Sequence, residues 1–167
     1  MPVLDEIEAE IPALRRYARA LLRDADAADD LVQDCLERAV ARRRDWRGEG
    51  PLRAWLFRIL LNRLRDLQRR APRPGHLVPV EDLYPEPGQP AAQEDHMALS
   101  EVRAAMARLP EDQRRALLLV ALEGFSFDEA ALALEIPKGT LMSRLARARE
   151  TLREMTGRAG KTKGILR

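Results

Sequence analysis

The stretch GFSFDEAALALEIPKGTLMSRLARAR, residues 124–149, predicts two helices joined by a tight turn. Ser126 with Glu129 three residues later forms a capping box, so a helix begins at residue 127 and runs to about Leu134. The turn reads EIPK, and the residues GTL after it open a long basic helix that reaches about Thr156. Two helices with this spacing, of which the second is basic, are typical of a helix-turn-helix.

Helical hairpins are also common as plain packing units of all-α proteins, so the turn alone does not establish DNA binding. From Lys138 to the end of the sequence nine bases stand against two acids, a net charge of +7. This charge favours DNA binding over the purely structural alternative, because a recognition helix lies against a polyanion. Leu141 and Leu145 are expected in the core, and Ala131 is expected where the two helices approach closely.

Two more helices precede the helix-turn-helix. The first is predicted at about 96–108, and the second begins at Pro110 and stops at Gly124. The sequence therefore predicts a helical domain over residues 96–157, which a basic tail follows at 158–167.

A proline-rich stretch separates this domain from the N-terminal part of the chain. Six of the eleven prolines fall within residues 71–90, and proline stops a helix because it lacks the amide donor and fixes φ. Residues 76–101 hold six acids and no base. Residues 71–95 are therefore interpreted as an acidic, semi-extended linker.

The N-terminal part, residues 1–70, predicts a bundle of three helices from its apolar periodicity. Pro12 suits the first turn of the first helix, and Asp26 is the expected N-cap of the second. The second helix is expected to point Leu31, Val32, Cys35, Leu36, Ala39 and Val40 inward. A third helix at about 51–70 is expected to point Leu52, Trp55, Leu56, Ile59, Leu60 and Leu67 inward.

The composition excludes several classes of function. Of 167 residues, 46% are hydrophobic and 34% charged, and the abundance of Ala, Leu and Arg predicts an all-α protein. A single cysteine, Cys35, and two isolated histidines exclude a disulfide framework and a Cys/His zinc site. No pair of catalytic groups stands out, so we expect no catalytic residue, metal or cofactor. Neither a membrane span nor a signal peptide is recognisable, which predicts a cytoplasmic protein.

Charge is segregated along the chain, although the total is only +2. Residues 42–70 hold ten arginines against three acids, whereas residues 1–37 hold ten acids against four bases. With the basic C-terminal part, this pattern predicts two contacts with a polyanion and acidic surfaces kept for protein. Solvated helix faces with internal ion pairs are the alternative interpretation.

These features together resemble the bacterial RNA polymerase sigma factors of the extracytoplasmic-function type, which keep only regions 2 and 4. The resemblance runs from about Leu14 to Leu152, apart from the linker. ADDLVQD at 28–34 resembles the acidic stretch of region 2, and WLFRI at 55–59 resembles its promoter-reading helix. Residues 109–149 resemble region 4. The sequences ADDLVQD and EGFSF are closest to the general-stress-response branch of alphaproteobacteria.

The resemblance implies that the basic helix of region 4 reads the −35 promoter element. The implied contacts come from Lys138, Thr140, Ser143, Arg144 and Arg147. Arg144 and Arg147 share one side of the helix, and each either pairs with guanine or contacts a phosphate. Arg149 and Arg153 are interpreted as ordinary helix-end charge.

The resemblance also implies that region 2 opens the −10 element and holds a single strand. The implied contacts come from Trp46, Arg58, Asn62, Arg65, Asp66, Arg69 and Arg70. Asn62 can read a base edge while the arginines follow phosphates, and Asp66 either orders an arginine or accepts from a base amino group. Trp46 either stacks on a base or anchors its loop, and Trp55 is expected in the core.

The implied protein partners are core RNA polymerase and an anti-sigma factor. The resemblance assigns an acidic surface to the β′ clamp helices of the polymerase, formed by Asp29, Asp30, Gln33 and Asp34. For Asp29, favourable electrostatics at a helix start is the alternative. Region 4 is expected to contact the β flap, and an anti-sigma factor is expected to bind between the two domains.

Three positions depart from the family pattern. Glu135 stands in place of a glycine and is expected at positive φ, Met142 replaces a lysine, and Lys138 replaces an apolar or small residue. The family's −35 preference therefore does not transfer to this chain.

Two other functions stay open. One is a sigma-like interaction domain that sequesters an anti-sigma factor without binding DNA, although such a protein would have little reason to keep Arg144 and Arg147. The other is a helix-turn-helix repressor that binds duplex DNA without polymerase, which would leave the first domain unexplained.

Overall fold

The computed structural model describes residues 2–70 and 93–157, and these residues form seven α-helices and no strand. The helices are α1 (Pro2–Leu21), α2 (Ala25–Ala41), α3 (Leu52–Arg70), α4 (Gln93–Arg108), α5 (Glu111–Ala121), α6 (Phe127–Leu134) and α7 (Lys138–Thr156). Helices α1 to α3 pack on one another, and so do α4 to α7. The expected all-α fold is confirmed. The expected tail at 158–167 and the linker up to residue 92 lie outside the described residues.

Helix α1 begins ten residues before the proline that was expected to start it. Pro12 lies inside the helix, on its exposed side, so this expectation was wrong. The apolar stripe that contains Leu14 and Tyr17 continues towards the N-terminus to Ile7, which is 3% exposed. Burial of Ile7 favours extending the helix, at the cost of the one hydrogen bond that Pro12 cannot make.

The N-cap of α2 and the side chains that α2 and α3 bury also differ from the expectation. Asp24, rather than Asp26, is the N-cap, and its carboxylate accepts from the amides of Asp26 and Ala27 at 2.9 and 3.2 Å. Val40 and Leu67, which were expected to face inward, are exposed. Helix α3 instead buries a wider set that includes Ala54, Phe57, Leu61 and Leu64. Because α3 contacts α1, α2 and α6, it needs an apolar surface on more than one side.

The helix-turn-helix agrees closely with its sequence signals. Ser126 Oγ accepts from the amide of Glu129 at 3.1 Å, and α6 runs from Phe127 as the capping box predicts. Ala131, Leu141 and Leu145 are buried, as expected. Upstream, α5 follows Pro110 as predicted, whereas α4 begins at Gln93 rather than at residue 96.

The two groups of helices share one continuous core, which the sequence did not predict. The rings of Tyr17 and Phe57 meet edge to face with centroids 5.2 Å apart, and Phe57 meets Phe125 in the same way at 4.9 Å. The Tyr17 hydroxyl donates to the carbonyl of Arg115 across 2.9 Å. All three rings are buried, so the apolar interior of α1 to α3 continues into that of α5 to α7.

Candidate nucleic-acid interface

The outward face of α7 carries the residues expected to read the −35 element. Lys138, Ser143 and Arg147 are exposed, while Thr140 and Arg144 lie half-buried at the edge of this face. Leu141 and Leu145 hold the opposite side of α7 in the core. The helix therefore presents these polar side chains, together with the exposed Met142, to solvent along its N-terminal half, where a helix that enters the major groove makes its contacts.

Several of these side chains already have polar neighbours. Lys138 Nζ lies 3.1 Å from Asp128 Oδ1, and Arg144 Nε lies 3.6 Å from Asp112 Oδ2. The Lys138 pair is exposed, and pairs of this kind contribute at most about 1 kcal/mol, so a DNA phosphate can displace Asp128 from Lys138. Ser143 Oγ donates to the carbonyl of Gly139 at 3.1 Å, which leaves the hydroxyl oxygen as an acceptor.

The turn between α6 and α7 has the backbone strain that the sequence predicted. Glu135 has φ 56° and ψ 43°, in the left-handed region, and it is the one residue other than glycine with positive φ in the described part of the chain. The amides of Glu135 and Ile136 donate to the carbonyls of Leu132 and Ala131 at 3.2 and 3.1 Å, and so end α6. Any residue with a Cβ lowers the stability of the fold by about 1 kcal/mol in this backbone conformation.

Part of the expected −10 surface on α3 is covered by the helix-turn-helix. Arg58 Nε lies 3.9 Å from Glu135 Oε1, and Arg65 donates to the carbonyl of Leu134 at 3.2 Å. Arg65 also donates to Asn62 Oδ1 at 3.5 Å. Glu135 and the end of α6 therefore cover part of Arg58 and Arg65, although 42% of the Arg58 side chain stays exposed.

The rest of the expected −10 surface lies nearer the end of α3. Asp66 Oδ2 is 3.8 Å from Arg38 Nη1, which matches the alternative in which this carboxylate orders an arginine. Arg69 and Arg70 are exposed at the last turn of the helix. Their charges remain accessible to a phosphate backbone in this arrangement.

The two tryptophans lie partly in the interior. Trp46, in the loop before α3, is half-buried against the core, and its Nε1 is buried without a hydrogen-bond partner. The buried part of the ring fits the loop-anchor alternative, and its exposed part leaves the stacking alternative open. Trp55 is also half-buried and packs against the core.

The expected polymerase surface on α2 is partly occupied by ion pairs. Asp29 accepts from Arg19 at 3.1 Å, and Asp34 Oδ2 accepts from Arg63 Nε at 2.9 Å. The remaining members of the set, Asp30 and Gln33, are exposed. The pairs lie within α1 to α3, so the surface stays outside the contact between the two domains.

Sequence reasoning missed a polar network between the domains. Arg16 on α1 donates twice to the carboxylate of Glu123, at 2.9 and 2.7 Å, although the Glu123 side chain is only 2% exposed. These hydrogen bonds raise the pKa of the Arg16 guanidinium. Arg115 donates to Gln68 at 2.7 Å and to Glu111 at 2.9 Å. No local pattern marks the pairs of Arg16 with Glu123 and of Arg115 with Gln68, because their partners are far apart in the sequence, whereas Glu111 and Arg115 are four residues apart on α5.

Arg53 is a second interdomain residue that the periodicity did not reveal. It lies near the start of α3, where its guanidinium pairs with Glu129 of α6 and covers the Phe125 ring at 4.2 Å from the centroid. The same side chain donates to the carbonyls of Glu123 and Gly124. One arginine thus contacts several groups at the beginning of the helix-turn-helix.

Two other kinds of feature, a metal site and a membrane-spanning helix, are absent from residues 2–70 and 93–157. No group of three or more His, Cys, Asp or Glu side chains there could hold a metal ion. None of the helices in these ranges is long and apolar enough to cross a membrane.

Family models match both parts of the chain. The model of the sigma2 domain of PhyR matches residues 7–61, and that of sigma-70 region 4 matches residues 99–152. The former range covers most of α1, all of α2 and about half of α3, and the latter contains the helix-turn-helix.

Known proteins resemble the chain over nearly its whole length. The ECF RNA polymerase sigma factor EcfG of Rhodopseudomonas palustris is 42% identical over 156 residues, covering 89% of this chain and 81% of the relative. The sigma factor RpoE of Bartonella quintana, solved with the anti-sigma factor NepR, has a TM-score of 0.73 at 34% identity, covering 93% of this chain and 97% of that one. The PhyRSL–NepR complex of Sphingomonas sp. Fr1 has a TM-score of 0.66 at 25% identity, covering 93% and 90%. With both sigma regions present in order and a relative this similar, the chain belongs to the extracytoplasmic-function (ECF) family of RNA polymerase sigma factors.

Proposed function

We propose that this sigma factor reads the −35 element of its promoters with the outward face of α7. The observation that carries the proposal is the division of this helix, with Leu141 and Leu145 buried on one side and Lys138, Ser143 and Arg147 exposed on the other. Thr140 and Arg144 add polar groups at the edge of the same face. A helix with this division fits the major groove, where polar side chains meet base edges and phosphates.

Reading of the −10 element is proposed for α3 and the loop before it. Arg69 and Arg70 are accessible to phosphates, whereas Arg58 and Arg65 are partly covered by Glu135 and Leu134 and become fully accessible when α6 moves away from α3. We therefore infer that separation of the two domains favours promoter binding by region 2. The proline-rich stretch at 71–90 gives the chain enough length for such a movement.

The polymerase is proposed to bind the acidic surface of α2. Asp30 and Gln33 are directly exposed, and Asp29 and Asp34 hold ion pairs with Arg19 and Arg63 that a basic partner can replace. Since the polymerase and the chromosome share the cytoplasm, the protein is proposed to act there.

An anti-sigma factor is proposed to hold the protein when it is inactive. The similar RpoE was solved with the anti-sigma factor NepR, which supports a partner of this class. Together with the resemblance to the general-stress-response branch, this similarity supports a role in a stress response. Copurification from the native cell, followed by mass spectrometry of the bound partner, tests this part of the proposal.

The test of the main proposal is transcription in vitro with purified core polymerase. A library of −35 and −10 element pairs serves as template, and the expected result is a promoter-specific transcript that needs both this protein and core enzyme. Absence of a specific transcript from every pair would overturn the proposal.

A sigma-like domain that sequesters an anti-sigma factor is the second candidate. It is favoured by the match of residues 7–61 to the sigma2 domain of PhyR and by the similarity to the PhyRSL–NepR complex. Such a protein would bind the anti-sigma factor but give no transcript with core enzyme. The same transcription experiment, run beside an anti-sigma binding assay, distinguishes the two functions.

A further inference from the structure

The outward face of the N-terminal half of α7 carries one large apolar side chain among polar and charged ones. Met142 is 41% exposed there, one turn after Lys138 and one turn before Ala146. Ser143 and Arg147 lie beside this row on the same exposed face. A large apolar side chain therefore stands at the centre of the surface proposed to enter the major groove.

Met142 is not required for packing within the described residues. The neighbouring Leu141 and Leu145 are buried and already supply the contacts of α7 with the core. The residues closest to Met142 on the outward face, Gly139, Ser143 and Ala146, are small and exposed. Small neighbours allow a flat surface to approach the methionine closely, so its thioether end is free to meet a ligand.

The chemistry of the major groove limits what an apolar side chain can recognise there. Base edges in that groove offer hydrogen-bond donors and acceptors, and the one apolar group among them is the 5-methyl group of thymine. The Ser143 hydroxyl donates to the carbonyl of Gly139 and keeps an acceptor oxygen, so it suits the hydrogen-bonding groups of a base edge rather than a methyl group. Lys138 and Arg147 flank the methionine with charges suited to phosphates or guanine.

We propose that Met142 packs against the 5-methyl group of a thymine in the −35 element and so determines part of the promoter specificity. This inference rests on the proposed role of α7 in −35 reading. It adds an apolar contact to a surface whose other contacts are polar. A contact that buries one methyl-sized group changes affinity about fourfold.

The experiment compares thymine with uracil, which lacks only the methyl group. Each thymine of the −35 element, on either strand of a promoter that the holoenzyme transcribes, is replaced singly by deoxyuridine, and promoter affinity is measured. At one position we expect about a fourfold loss with the natural holoenzyme and no loss with Met142→Ala. Met155→Ala is the matched control, since Met155 is 42% exposed near the other end of α7 and should leave the uracil effect unchanged.

Three results would overturn the inference. One is a promoter affinity that no uracil replacement changes, and another is an equal uracil effect with the natural protein and Met142→Ala. The third is weaker binding of Met142→Ala to core polymerase without DNA, which would place Met142 in a protein contact. In all three the holoenzyme still transcribes, so the proposed function stands. Absence of any specific transcript would instead overturn the proposed function and this inference together.

Discussion

Arg53 Nε on α3 donates to Glu129 Oε2 on α6 across 2.9 Å, and this ion pair joins the first domain to the second. Glu129 lies in the first turn of α6, so the contact also fixes the start of the helix-turn-helix. Both side chains are less than a third exposed, which limits the screening of the pair by water. We call the arrangement in which α3 and α6 pack together closed, and the one in which the two domains are apart open. The closed arrangement thus depends on an arginine that lies outside the residues proposed to contact DNA.

Arg53→Ala is expected to shift the protein towards an open arrangement. A hydrogen-bonded ion pair of this kind contributes about 1.5–3 kcal/mol, so the ratio of closed to open molecules should fall about tenfold or more. Energy transfer between dyes on Glu37→Cys of α2 and Glu154→Cys of α7 measures the separation of the domains.

Arg19→Ala is the matched control, because it breaks a pair with Asp29 inside the first domain. It should leave the dye separation unchanged. An equal response to both substitutions, or none to Arg53→Ala, would contradict the proposed role of the ion pair.

Arg144→Ala combined with Arg147→Ala should flatten the salt dependence of promoter binding. Each lost phosphate contact changes the slope of log K against log salt by about 0.9, so the double substitution should change it by about 1.8. The slope is measured with holoenzyme and promoter DNA over a salt series.

Arg153→Ala serves as the control, since Arg153 lies in the last turn of α7 and is interpreted as helix-end charge. The slope of log K against log salt for Arg153→Ala should match that of the natural protein. An unchanged slope in the double variant would show that Arg144 and Arg147 do not contact phosphates.

Glu135→Gly should raise the free energy of unfolding by about 1 kcal/mol, because glycine adopts positive φ without steric cost. Urea denaturation measures the change. Glu135→Ala is the control, since it removes the carboxylate near Arg58 but keeps the Cβ at a φ of 56°. Equal stability of the Gly and Ala variants would show that the backbone conformation stores no strain.

Glu111 should make stability depend on pH in the acidic range. The carboxyl is 43% exposed, and its partial burial raises the pKa, but the Gln68 amide and the Arg115 charge outweigh that effect and leave the pKa below its ordinary 4.5. The unfolded state then binds the proton more readily, so the stabilisation is complete above about pH 4.5 and is lost as the pH falls through the folded pKa.

Glu111→Gln should therefore show a smaller loss of stability on acidification than the natural protein. Urea midpoints measured from about pH 6 to about pH 3 test this. Glu154→Gln removes an exposed carboxylate of α7 and should give a curve parallel to that of the natural protein. The prediction fails if Glu111→Gln also runs parallel.

Cys35 should react with thiol reagents only when the protein unfolds. The side chain is fully buried, its Sγ donates to the carbonyl of Leu56 at 3.5 Å, and burial raises the pKa of the thiol to about 12. Mass spectrometry after timed labelling should show no adduct without urea, because the thiolate is the reactive form. A cysteine introduced by Ser100→Cys, at an exposed position, should be labelled at once. Rapid labelling of Cys35 in the folded protein would contradict the prediction.

The helix-turn-helix was predictable because its signals are local. Ser126 caps α6, Glu135 takes the left-handed conformation, and Pro137 precedes the first residue of α7. Each of these signals acts within a few residues, so tertiary contacts are not needed to interpret it. Pro12 was misinterpreted for the opposite reason, since the burial of Ile7 by other helices decides where α1 begins.

Contacts between the domains could not be predicted in the same way. Tyr17 with Arg115, and Arg53 with Glu129, join positions that no periodic pattern connects. One signal was available in α3, where Phe57 extends the apolar surface beyond a single stripe. A helix that is apolar on more than one side must pack on more than one neighbour. As a result, the accessibility of Arg58 and Arg65 could not be predicted from their spacing.

The edge-to-face contacts of Tyr17, Phe57 and Phe125 affect the thermal unfolding of the molecule. Each ring belongs to a different segment, and Phe57 is shared by both of its neighbours. If either domain unfolded alone, one or more of these three rings would be exposed to water. The two domains are therefore expected to unfold together, as one cooperative unit. Calorimetry of the closed protein should therefore show a single heat-absorption peak.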